Sequence, residues 1–179
     1  MGTGIFAARR GISAREEYGT PPPDTDDALR WTFRRLGIWA DIRPDLPVNG
    51  LAYVTPLPQL RGAIVLRAGL PYPRWTLAHE IAHIMLGDMG QAHLQLSDAN
   101  DYWQRVPAER AANAFAATFL LPLDELFRQF CDDWTRSAIA SFYGVPAEVV
   151  SLRLELSRSL KESCPNRTAN IEALLLRLE

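Results

Sequence analysis

The chain has 179 residues, 47% hydrophobic and 22% charged, the proportions of an ordinary globular protein with a real core. Its formal charge of −2 leaves no basic footprint for nucleic acid or an anionic membrane surface, and no apolar run nears the roughly 20 residues that span a bilayer. Cys131 and Cys164, the only two cysteines, exclude a disulfide scaffold and fit free thiols in a reducing cytoplasm.

Residues 1–23 carry scattered glycines and arginines ahead of the Pro21-Pro22-Pro23 run. They lack the apolar stretch of a signal peptide and are expected to form a flexible lead-in. Asp24 or Asp26 is placed to cap a helix running to about Leu36, with Leu29, Phe33 and Leu36 on one face and Gly37 ending it. A strand-rich stretch follows. Asn49-Gly50 marks a turn, Leu51 to Thr55 reads as one strand, and Arg61 to Arg67 as another beyond Pro56 and Pro58. As an edge, Arg61–Arg67 offers main-chain hydrogen bonds to an extended peptide. An interior place in a small sheet is an equally open reading.

Pro71 and Pro73 precede a helix that meets no breaker until Gly87. Within it lies His79-Glu80-Ile81-Ala82-His83, and residues four apart share a helical face, so both imidazoles can reach one metal ion. Glu80 points a little aside, toward a water rather than the ion. Trp75, Ala78, Ala82 and Leu86 form one stripe, and Leu77, Ile81, Ile84 and Met85 extend the apolar surface nearly all round, as in a buried helix. Two buried histidines and a glutamate there need a shared partner. The bland alternative is two core histidines beside an accidental glutamate.

Catalytic zinc usually takes three protein ligands and keeps one position for water, so a third ligand is expected. The segment from Pro107 to Pro122 is Ala-rich and helical in spacing, with Ala112, Phe115, Ala116 and Phe119 on a face small enough for close approach. Glu109 is its best ligand, and Asn113, four residues on, is a candidate to orient a histidine ring or the Glu109 carboxylate. Glu109 could otherwise simply favour a helix N-terminus. The polar stretch between Asp88 and Val106 is expected to loop across the site mouth. Among Tyr102, His93, Tyr72 and Arg74, Tyr102 is the slight preference as oxyanion donor.

Beyond Pro122, Leu123, Leu126, Phe127 and Phe130 make an apolar helical face. Ser137 to Tyr143, the Gly144-Val145-Pro146 turn and Ala147 to Ser157 then form a helix-turn-helix-like pair. That pair raises a DNA-binding regulator as a rival reading. Glu148 and Glu155 against Arg153 and Arg158 make a poor surface for phosphates. Thr168 is placed to cap a last helix with a stripe of Ile171, Leu174, Leu175 and Leu178.

Three segments together resemble the ImmA/IrrE family of metallopeptidases: Arg74-Trp-Thr-Leu-Ala-His-Glu-Ile-Ala-His83, then Glu109-x-x-Ala-Asn-x-Phe-Ala-Ala117, then Leu120-Leu-Pro122. A weaker fourth is Val145-Pro-Ala-Glu-Val-Val-Ser-Leu-Arg-Leu154, and the likeness spans roughly residues 26–158. It implies a zinc-dependent endopeptidase with His79, His83 and Glu109 as ligands and Glu80 as general base. The implied partner is a helix-turn-helix transcriptional repressor whose cleavage derepresses mobile-element, phage or stress genes. Many members carry a further histidine where this chain has Gly87, a place a three-ligand site does not need. A catalytically silent protein that captures its repressor is the alternative within the family. The expected architecture is α+β, a zincin-like domain over residues 24–122 with a small mixed or antiparallel sheet, followed by a helical subdomain over residues 123–179.

Overall fold

The computed structural model describes residues 2–55, 59–87 and 107–160. Its elements are α1 (Gly2–Tyr18), α2 (Thr25–Leu36), β1 (Ile38–Arg43), β2 (Gly50–Val54), β3 (Gly62–Arg67), α3 (Pro73–Leu86), α4 (Pro107–Leu120), α5 (Leu123–Cys131), α6 (Arg136–Tyr143) and α7 (Ala147–Leu160). The architecture is α+β and helix-rich, as expected.

α1 corrects the reading of residues 1–23 as a flexible lead-in. Ala7, Ala8 and Ala14 are buried, and α1 lies along α4. The Thr118 hydroxyl donates to the Ala8 carbonyl at 2.9 Å, and the Arg15 guanidinium reaches the carbonyls of Thr118 and Leu121. At Gly11 the two backbones come so close that an added methyl would overlap Thr118 Oγ1 and the Phe115 carbonyl oxygen. Small residues carry little apolar signal, so helical periodicity was faint here. The helix is held by backbone proximity to a neighbour distant in sequence, and not by a greasy stripe of its own.

α2 begins and ends where its caps require. The Asp24 carboxylate accepts from the Asp27 N–H at 2.9 Å, and Gly37 closes the helix at φ 66°. Its buried face is Ala28, Thr32 and Leu36, with Leu29 packed at the margin. Phe33, expected on that face, is 52% exposed. The inward rotation favours the small Ala28 and Thr32, whose hydroxyl is satisfied by the Ala28 carbonyl at 2.8 Å.

The sheet has the order β1-β3-β2, with β1 parallel to β3 and β2 antiparallel to it. β3 is therefore the interior strand, which decides between the edge and interior readings left open by the sequence. Ile64 and Leu66 are buried on one face, while Ala63 and Val65 are half-buried on the other, the apolar run of a strand paired on both sides. β2 starts at Gly50 with an ordinary φ, so Asn49-Gly50 leads into a strand and does not form a left-handed hairpin turn.

One apolar cluster runs from α1 to α7, and every residue from Ala111 to Leu120 of α4 is buried within it. The predicted α5 face of Leu123, Leu126, Phe127 and Phe130 is buried. α6 and α7 meet at Gly144, φ 65°, close to the predicted boundaries. α7 turns Val149, Val150, Arg153, Leu154 and Ser157 inward. Arg153, counted above as a surface charge, is fully buried and donates from Nε to the Leu121 carbonyl at 2.9 Å. The segment from Thr168 to Leu178 lies outside the described residues.

Candidate metal centre

α3 starts with Pro73 in its first turn and ends at Gly87, φ 74°, whose N–H bonds the His83 carbonyl at 3.2 Å. Between these limits Leu77 to Ile84 are buried without interruption. His79, Glu80 and His83 are thus carried into the interior, at 4%, 4% and 6% exposure. α4 packs against α3 through small residues, which lets Glu109, 3% exposed, and Asn113 reach the histidines.

Across this interface His79 Nε2 lies 3.0 Å from Glu109 Oε2 and 3.1 Å from His83 Nε2, and His83 Nε2 lies 3.4 Å from Glu109 Oε1. His79 Nδ1, on the far side of the ring, donates to Asn113 Oδ1 at 2.9 Å. One ligand atom from each of His79, His83 and Glu109 falls within 4.8 Å of the others. These separations suit a small cation. Bonds of about 2.0–2.1 Å in a tetrahedron put neighbouring ligand atoms roughly 3.3 Å apart. Two imidazole nitrogens and a carboxylate are also donors zinc accepts.

The electrostatics agree. Burial works against the protonated form of His79, but its hydrogen bond to Glu109, the charges of Glu80 and Glu109, and the bond to Asn113 prevail and raise its pKa above the ordinary value. Burial would likewise raise Glu109, yet hydrogen bonds and charge from His79 and His83 hold its carboxyl well below the usual carboxylate range. The site is anionic and stabilises positive charge at its centre.

Glu80 sits against the start of β2. A Cβ built on Gly50 would lie 2.6 Å from Glu80 Oε1 and 2.8 Å from its Cγ. Gly50 is therefore part of the site, which sequence reasoning missed because Asn49-Gly50 read as turn chemistry alone. Tyr102 and His93 lie outside the described residues. Tyr72 stands at the α3 N-terminus, 39% exposed, and Arg74 donates to the carbonyls of Pro21 and Tyr143 at 2.9 and 2.8 Å, so its guanidinium braces the start of α3.

A family model for peptidase group M78, described as the IrrE N-terminal-like domain, matches residues 42–155. The chain belongs to this family. The matched span carries His79, Glu80, His83, Glu109 and Asn113, and α1 precedes it. M78 peptidases depend on a metal, which accords with the buried His-His-Glu group. No curated protein matches the chain. Among the described residues no helix is long and apolar enough to cross a membrane.

Proposed function

We propose that the chain is a cytoplasmic zinc-dependent endopeptidase that cleaves a partner transcriptional repressor of the helix-turn-helix type, freeing mobile-element, phage or stress genes. The observation that carries the reading is the convergence of His79 Nε2, His83 Nε2 and the Glu109 carboxylate beside a second buried acid, Glu80. His79, His83 and Glu109 would hold the ion. When bound, zinc supplies Lewis acidity that polarises a carbonyl and makes water acidic near neutral pH.

Glu80, beside the start of β2, takes the proton of the attacking water and returns it to the leaving amine. β2 pairs only with β3 among the described residues and begins beside Glu80. It takes over the peptide-pairing role first considered for β3, holding an extended substrate through main-chain hydrogen bonds. The repressor as substrate rests on the likeness of the three motifs to the ImmA/IrrE family. The cytoplasmic placement rests on that substrate and on the free thiol at Cys131. Burial of Arg153 leaves Glu148 and Glu155 facing outward on α7 with Arg158, which weighs against a DNA-binding regulator.

Metal analysis of the purified wild type and of Glu109→Ala tests the centre. About one zinc per chain is expected for the wild type, with binding weakened at least about 100-fold in the variant. Undiminished zinc in Glu109→Ala would remove this carboxylate from the ligand set.

A further inference from the structure

We infer that Asn113 is a positioning residue for this centre: its amide oxygen holds the Nδ1 proton of His79, so that Nε2 is the nitrogen offered to the ion. The inference rests on the metal reading above. The His79 ring is gripped at both ends. Nδ1 lies 2.9 Å from Asn113 Oδ1, while Nε2 lies 3.0 Å from Glu109 Oε2 and 3.1 Å from His83 Nε2.

A neutral imidazole carries one proton, and the nitrogen that keeps it cannot ligate. An acceptor fixed at Nδ1 therefore leaves the Nε2 lone pair directed toward His83 and Glu109. It also fixes the ring's rotation, because the hydrogen bond lies in the ring plane. Asn113 and Glu109 stand four residues apart on α4 and share a face. One helix thus supplies both a ligand and the group that orients the ligand opposite it. At 7% exposure Asn113 has little competition from bulk water.

The choice of an amide also has a physical reason. Glu80 and Glu109 already place two carboxylates close enough to influence the charge of His79. A third buried carboxylate would add desolvation cost and like-charge repulsion. A neutral oxygen orients the ring without either.

Asn113→Leu removes the acceptor while keeping a similarly branched, somewhat larger side chain, and Asn113→Asp keeps an oxygen at the same place. Zinc and cobalt(II) affinities are measured by competition with a chelating dye, together with the visible spectrum of the cobalt form and the far-UV circular dichroism. The expected result is a 10–100-fold weaker affinity and an altered cobalt spectrum for Asn113→Leu. Asn113→Asp is expected to stay within about tenfold of the wild type, with helical content unchanged in both. Asn113→Ala, also lacking the acceptor, repeats the test without crowding the helix interface and should weaken binding alike. Wild-type affinity and spectrum in Asn113→Leu, or equal losses in Asn113→Leu and Asn113→Asp, would overturn the inference. Failure of the wild type itself to bind either ion is a different result: it overturns the metal reading, and this inference with it.

Discussion

Replacing Glu80 by glutamine should lower the rate of the proposed repressor cleavage by about 100- to 10,000-fold, the range that a lost general acid-base contributes. Zinc content should be unchanged. Glu80 lies outside the converging group of His79, His83 and Glu109, so the amide removes a proton acceptor without removing a ligand. Cleavage is followed on gels as loss of the intact repressor, and derepression with a reporter. Loss of both with zinc retained supports proteolysis. Derepression that survives in Glu80→Gln would instead make the protein a capturing antirepressor. Gly50→Ala gives a companion result from the other side of the same carboxylate. The methyl would fall 2.6 Å from Glu80 Oε1, and φ at this position is one alanine adopts, so Glu80 must shift while the strand need not. Displacement of about 1 Å at a reacting group costs roughly 100-fold in rate. The fall should appear in kcat, with zinc retained, and an unaffected kcat would separate Gly50 from the positioning of Glu80.

Gly11→Ala should destabilise the fold by about 3 kcal/mol, the upper part of the usual range for overpacking, because one of the atoms overlapped is the Phe115 carbonyl on a buried helix backbone. In a chain of this size that corresponds to a melting temperature roughly 6–12 °C lower. On helix propensity alone the same change would stabilise by up to about 1 kcal/mol. Gly4→Ala supplies the contrast within the same helix: nothing lies within 4 Å of a methyl there, so its propensity gain should stand alone. Thermal melts of both variants decide the matter. Equal stability for Gly11→Ala and Gly4→Ala would mean that α1 does not sit against α4 as described.

Both glycines show where reading the chain from its residues stops. Gly50 looked like half of a turn signal, and its proximity to Glu80 depends on how β2 lies across α3. Gly11 looked like one of several flexible residues, and its constraint comes from Thr118, more than a hundred positions away. Phe33 and Arg153 fail in the opposite sense. Spacing and residue type put Phe33 inside and Arg153 outside, while the packing of α2 and the Leu121 carbonyl decide otherwise. For β3 the edge and interior readings stand equally open in the sequence, and its pairing with both β1 and β2 decides for the interior.

Local chemistry alone determined the helix that carries His79, Glu80 and His83, the choice of Glu109 and Asn113 on a second small-residue helix, and the α2 caps at Asp24 or Asp26 and at Gly37. Those are matters of period, propensity and donor type, which act within a few residues of one another. Only the tertiary structure decided that α1 is ordered, that β3 lies between β1 and β2, and that Gly50 faces Glu80. Each depends on close approach between segments far apart in the chain, where steric exclusion and the pairing of buried polar groups outweigh the preferences of any single stretch.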